Sequence, residues 1–356
     1  MKENKRINAL IKSLKKGEGA IISSPENRFY VTGEKTSAGH VIITSEKAYF
    51  IIDFRYFNKI KSKIFGIEMI LQDNLFLQIN EIFKKHGIQQ YYFETTKIPY
   101  SEIFQFKNKI NVNISYEDNF DKKIGDLRVI KDCDEISNIK QAQAVTDKTF
   151  EYILNVIKPG KTEAEIALEM EFFGRKNGAD GISFDFIVVS GAKSALPHGS
   201  PSEKVIENGD FLTMDFGFLV NGYCSDMTRT ICIGNASEKQ KEVYNLVLKA
   251  QLAALDAIKP EIVSGQYDKI ARKIIEENGY GKYFGHGLGH GVGIDIHEAP
   301  NCGFTGTDIL KPGMIITCEP GIYLENQFGV RIEDMGAVTV DGFDNFTKST
   351  KELICI

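Results

Sequence analysis

The chain has 356 residues, 42% of them hydrophobic and 26% charged, with a formal net charge of −5. That is the composition of an ordinary globular protein, long enough for two domains. The first ten residues lack the apolar core of a signal peptide, and no apolar run approaches the ~20 residues of a membrane span. The six cysteines form neither a disulfide framework nor a Cys-x-x-Cys pattern, and no basic stripe interleaved with aromatics marks a nucleic-acid surface. The expectation is a cytoplasmic protein with no membrane or nucleic-acid partner.

Residues 1–125 alternate short strands and helices. Strands are expected at 19–23, 40–44, 48–52, 90–93 and 112–116, and helices at 2–14, 74–86 and 101–107. Such alternation predicts an α/β domain. A boundary is expected within 121–129, dividing the chain into domains 1–125 and 130–356. Charge divides similarly: residues 1–130 carry 21 Lys+Arg against 15 Asp+Glu, and residues 131–356 carry 22 against 33. An acidic second half suits a domain that holds cations. Its helices are expected at 135–156, then from the cap at Thr162 to Asn177-Gly178, from the cap at Ser237 to about 258, and at 264–278.

Four motifs in the second half carry chemistry. In the first, Asn221-Gly222 separates two strand-like runs, 211–220 and 223–232, which is a strong hairpin signal. With those two residues as the turn, Val220 faces Tyr223 and Gly217 faces Asp226. Asp215 and Asp226 then become diagonal neighbours on one face, roughly 7–8 Å apart at the backbone. Two solvated aspartates on a hairpin would be the bland reading. Asp215 lies among Met214, Phe216 and Phe218, however, and an unpaired buried carboxylate is costly.

The second motif, 286–297, holds His286, His290 and His297 in a run broken by Gly287, Gly289, Gly291 and Gly293. The glycines argue against a helix and allow backbone to pack closely while the imidazoles reach inward. Its tail, 292–297, reads as a strand. The third and fourth motifs put Glu319 just beyond the apolar run 314–318 and Glu333 beyond 329–332. Taken singly, Glu319 could pair with Arg331 or Lys311. Taken together, Asp215, Asp226, His290, Glu319 and Glu333 make a ligand set for two divalent metals. Hard oxygen donors with one imidazole suit Mn, Co or Zn.

The order Met214-Asp215-Phe216-Gly217, Ser225-Asp226-Met227-Thr228-Arg229, 286–293, Glu319-Pro320-Gly321 and Arg331-Ile332-Glu333-Asp334 resembles the pita-bread metallopeptidase superfamily. The run 190–201 and the weaker matches at 27–33 and 52–56 resemble its Xaa-Pro aminopeptidase/prolidase branch. The resemblance implies a creatinase/prolidase-like α/β N-terminal domain followed by an α+β pita-bread catalytic domain. It also implies a homodimer acting on proline-containing peptides. In this scheme Asp215 binds one metal, Asp226 and Glu333 bridge two, and His290 and Glu319 complete the other. Glu319 also accepts a proton, while His198 and His297 assist at the scissile carbonyl without ligating. Arg331 and His286 lie behind the ligands. The activity implied is release of the N-terminal residue from X-Pro peptides, with Xaa-Pro dipeptidase (prolidase) as the alternative. Asn301, after His297-Glu298-Ala299-Pro300, stands where some dipeptidase-type members carry arginine. A metal-free binding module of the same fold is the remaining class, disfavoured by the complete ligand set.

Overall fold

The computed structural model describes residues 3–116 and 120–356. The chain forms two compact units, Met1–Arg128 and Val129–Ile356.

The first unit is built on a six-stranded mixed sheet. Its spatial order is Glu68–Leu71, Ala48–Ile52, His40–Thr44, Glu18–Ile22, Gln90–Phe93 and Asn113–Ile114. The three strands from Glu18 to Ile52 run antiparallel, and the outer pairings are parallel. Ile21, Ile42, Ile51 and Tyr91 are buried with Phe83 and Phe106 in one core. Continuous apolar runs such as Val41-Ile42-Ile43 reflect a sheet covered on both faces.

Helices Lys5–Ser13, Leu75–Lys85 and Tyr100–Lys109 lie close to the expected ranges; Lys2, where the first was expected to begin, lies outside the described residues. Helices Pro25–Thr32 and Phe54–Ile60 were not anticipated. They are short, and their signals are the caps Ser24 and Asp53, with Pro25 pre-set for a first helical turn. The segment expected to hold the boundary is itself a helix, Phe120–Val129.

In the second unit, helices Cys133–Ile153, Glu163–Lys176 and Glu238–Ala257 each start on a complete capping box: Asp132/Glu135, Thr162/Glu165 and Ser237/Gln240. Phe150 and Met170 of the first pair pack with Phe186, just before strand Ile187–Ser190, and with Met214 and Phe216 of strand Phe211–Phe216. Val243, Val247 and Tyr267 of the second pair, Glu238–Ala257 and Ser264–Glu277, pack with Leu288, Ile316 and Ile322.

The hairpin register follows from its turn. Asn221 and Gly222 both have positive φ, 51° and 85°, as the two-residue turn requires. Val220 pairs with Tyr223, and the same register continues with Phe216 opposite Met227 and Asp215 opposite Thr228. The runs are not single strands, however. Both break near Gly217, where a Cβ would fall 1.9 Å from the Ser225 carbonyl oxygen. The break leaves Asp226 at the junction between two strand pieces.

Candidate active site

All nine residues singled out by the sequence line one cleft of about 730 Å³: His198, Asp215, Asp226, His286, His290, His297, Glu319, Arg331 and Glu333. They come from separate parts of the unit. Asp215 sits in a central strand, Asp226 at the hairpin break and His290 in the short strand His290–Gly291. Glu319 follows strand Ile315–Cys318, and Glu333 lies between strands Phe328–Arg331 and Asp334–Val338.

Close backbone approach explains the glycines around His290. A Cβ on Gly289 would lie 2.2 Å from the Thr317 carbonyl oxygen, and one on Gly291 would lie 2.1 Å from that of Ala299. The strand expected at 292–297 is not formed. Gly293 N–H instead bonds the Asp295 carbonyl, and Asp295 N–H bonds Glu298 Oε1, so the chain turns and presents an exposed His297 to the cleft.

Donor atoms of Asp226, His290 and Glu333 all lie within 4.8 Å of one another. His290 Nε2 is 3.5 Å from Asp226 Oδ2 and 3.4 Å from Glu319 Oε1. His290 Nδ1 lies 3.1 Å from the Gly291 carbonyl, an acceptor, so Nδ1 carries the proton. Nε2 is thereby left with its lone pair toward the carboxylates, as a metal ligand requires. Burial first, and then His297, pushes the His290 pKa down to about 4, so the ring is neutral near pH 7.

The carboxylates behave oppositely. Burial holds Asp226 well above the usual range, with Asp215 and Glu319 adding to the rise. Burial likewise raises Glu333, helped by Asp226, Glu319 and Asp215. Glu319 is pushed up to about 8 by burial, against the opposing pull of Arg331. Asp215 Oδ1, Asp226 Oδ1 and Glu333 Oε1 are buried with no hydrogen-bond partner among the described residues. A buried acceptor left unmade costs about 1–3 kcal/mol, more when charged. Orphaned oxygens converging with a lone pair from imidazole fit a divalent cation and leave little else that would fit.

A second layer holds these groups. Arg331 donates to Asp215 Oδ2 at 2.6 Å, to Tyr323 Oη at 2.7 Å and to Thr228 Oγ1 at 3.0 Å. His286 Nε2 meets Tyr323 Oη at 2.9 Å, so His286 reaches Asp215 only through Tyr323 and Arg331. Thr228 donates to Glu333 Oε2 at 2.7 Å, and Thr317 donates to Glu319 Oε1 at 3.3 Å. The sequence reading missed Thr228, Thr317 and Tyr323. The two threonines had a signal: each lies two residues from a candidate ligand, Asp226 or Glu319, and side chains two apart in a strand share a face.

Residues 137–340 match Metallopeptidase family M24, and residues 6–130 match the Creatinase/Prolidase N-terminal domain. The chain belongs to metallopeptidase family M24. It is therefore a metal-dependent peptidase of the Xaa-Pro aminopeptidase/prolidase branch, and the fold is the expected creatinase-type N-terminal domain with a pita-bread catalytic domain. A protein of Pyrococcus horikoshii named Xaa-Pro dipeptidase is 39% identical over 355 residues, covering 99% of each chain. The solved Xaa-Pro dipeptidase of Bacillus anthracis has a TM-score of 0.95 at 42% identity, over 99% of each chain. The solved X-Pro aminopeptidase of Thermotoga maritima has a TM-score of 0.90 at 32% identity, over all of both chains. Among the described residues, no helix of this M24 chain is long and apolar enough to cross a membrane.

Proposed function

We propose that this M24 chain is a two-metal exopeptidase that cleaves the X-Pro bond at the N-terminus of peptides. The observation that carries the reading is the set of orphaned carboxylate oxygens around the His290 lone pair. Asp215 would hold one cation, His290 and Glu319 the other, and Asp226 and Glu333 both; Mn(II) is the ion we favour, with Co(II) or Zn(II) as alternatives. Divalent ions supply acidification of a water and polarisation of the scissile carbonyl.

The remaining chemistry belongs to side chains. Glu319, at the cleft floor beside His290, accepts the proton of the attacking water and passes it toward the leaving nitrogen. His198 and His297, both exposed to the cleft, donate hydrogen bonds to the carbonyl oxygen as charge develops on it. Phe184, Phe186, Ile187 and Ile296 supply an apolar wall for the proline ring and its neighbour. The substrate's free amino end lies toward the acidic cluster.

Substrate length follows from the lack of a spare cation. Arg331 is the one Lys or Arg among the described lining residues, and its donors are engaged by Asp215, Tyr323, Thr228 and the Pro197 carbonyl. Asn301 supplies no charge. Among the described residues, then, no lysine or arginine of the cleft is left to pair with a dipeptide's terminal carboxylate. X-Pro peptides of three or more residues should be cleaved at least as well as X-Pro dipeptides. The names of the Pyrococcus and Bacillus anthracis relatives favour the second reading, a dipeptidase. The deciding measurement is kcat/KM for a dipeptide against tri- and tetrapeptides sharing the same first residue, with Mn(II). A dipeptide preference of tenfold or more would establish the second reading in place of the first.

A further inference from the structure

His198 is exposed at the cleft, and its ring makes no hydrogen bond within the described residues. Hydrogen bonds of the ring therefore do not set its position, and the backbone that carries it matters. It lies on an excursion of chain that leaves the sheet at Ser190, the end of strand Ile187–Ser190, and comes back against the N-terminus of helix Glu163–Lys176 at residues 202–204. The excursion begins with Gly191 at φ 57°, where a Cβ would fall 2.6 Å from Asp210 Oδ1. It contributes Pro197, His198, Gly199, Ser200 and Pro201 to the cleft wall.

Both ends of this excursion meet one buried carboxylate, Glu163, in the first turn of helix Glu163–Lys176. Glu163 Oε1 accepts from Ser190 N–H at 2.7 Å and Ser190 Oγ at 3.0 Å. Glu163 Oε2 accepts from Ser202 N–H at 3.2 Å, Ser202 Oγ at 2.8 Å and Lys193 Nζ at 2.5 Å. Departure, the first turn after it and return are thus tied to a single side chain. The helix terminus adds Glu163 N–H to the Lys204 carbonyl and Ala164 N–H to the Ser202 carbonyl. A carboxylate with five donors and no exposure is a fully satisfied anion, and a helix's first turn favours negative charge. The opposite side of the excursion is held by Gly329 N–H to Ser194 Oγ at 2.9 Å and Arg331 to the Pro197 carbonyl at 3.2 Å.

We infer that Glu163 is a positioning residue for catalysis, setting where His198 stands at the scissile carbonyl. The inference rests on the reading of His198 given above. Gln at 163 keeps the size but turns an acceptor oxygen into a donor amide facing donors, so one end of the excursion must move. A shift of about 1 Å in a positioned group can cost on the order of a hundredfold in rate.

The test is a double-mutant cycle on the full-length, Mn(II)-loaded enzyme. Wild type, Glu163→Gln, His198→Ala and the double variant are compared for bound metal, kcat and KM on an X-Pro tripeptide. Glu163→Gln is expected to keep its metal, because Glu163 touches none of the proposed ligands. Its kcat should fall about 10–100-fold. In the His198→Ala background the same change should cost less than about twofold. Ser202→Ala, which removes one hydroxyl from the cradle, should show a smaller drop with the same dependence on His198, and it serves as the test if Glu163→Gln fails to fold. An equal loss in both backgrounds would overturn the inference alone, as would normal turnover in Glu163→Gln beside an impaired His198→Ala. Wild-type turnover in His198→Ala would instead overturn the reading of His198, and the inference with it.

Discussion

Neutralising Asp226 should separate metal binding from folding. Asp226 is 4% exposed, has one unpartnered oxygen and stands near Asp215 and Glu319, both of which raise its pKa. Without a cation this arrangement costs stability; with one, the cost is reversed. A ligand present at a hundred times its Kd stabilises the folded state by about 2.7 kcal/mol. In a unit the size of residues 129–356, each kcal/mol moves Tm by roughly 2–4 °C, so saturating Mn(II) should raise that transition by about 5–11 °C over EDTA. Asp226→Asn keeps the shape and removes the charge. Its transition in EDTA should match or exceed that of the wild type, and most of the Mn(II) shift should vanish. Calorimetry with and without Mn(II), with metal content measured on the same samples, reads both quantities. If Asp226→Asn kept the full shift and full metal content, Asp226 would not be a shared ligand. If it unfolded at lower temperature in EDTA, the proposed charge repulsion would be wrong.

Two further outcomes follow from other parts of the structure. Gly291→Ala should cost about 1–3 kcal/mol of stability and lower metal content, because the new Cβ would press on the Ala299 carbonyl beside His290; a variant with wild-type Tm and metal content would refute the close-packing account of this glycine run. In the first unit, His40 sits with Nδ1 2.7 Å from Ser23 Oγ, and burial first, then Arg28, push its pKa from 6.5 down to about 4. A depressed folded-state pKa means stability that is complete above pH 6.5 and is lost as pH falls toward 4. At roughly 1.4 kcal/mol per unit this is at most about 3.5 kcal/mol. His40→Gln should therefore lose less stability than wild type between pH 6.5 and 4, measured by thermal unfolding across that range, and parallel pH curves would refute the assignment.

The parts of this fold that were legible in the sequence are those set by local rules. Asn221-Gly222 fixed a hairpin register that carried correctly as far as Asp215, several residues beyond the turn. The capping residues Thr162 and Ser237 marked helix starts to within a residue. The tail after His290 failed because alternation at 292–297 is outweighed by the turn that Gly293 and Glu298 make together. A Cβ at Gly293 would meet the Glu298 carboxylate at 2.6 Å, which no periodicity reveals. Helices Pro25–Thr32 and Phe54–Ile60 were missed because eight or fewer residues give little period to read. Tyr323 and Glu163 were illegible for another reason. Tyr323 acts through His286 and Arg331, and Glu163 through Ser190, Lys193 and Ser202, and only tertiary structure brings those partners together.

Charge balance supports the proposal that the cluster holds more than one cation. Asp215, Asp226, Glu319 and Glu333 meet a single arginine among the described lining residues, and of these four carboxylates Arg331 hydrogen-bonds Asp215 alone, at Oδ2. The nearby Arg229 is turned away. It donates to the Glu333 and Thr228 carbonyls and to Asp334 Oδ1, while Lys351 donates to Asp334 Oδ2. The fold therefore braces the backbone of Glu333 with Arg229, while its carboxylate accepts, among the described residues, from the neutral Thr228 alone. With all four carboxylates ionised, Arg331 leaves a net charge of about −3, and one divalent ion would still leave it negative. Two bring it to about +1, a field that favours negative charge developing on a carbonyl oxygen. On the proposed two-cation reading, the three carboxylates left without a lysine or arginine are the charge that the second divalent ion would balance.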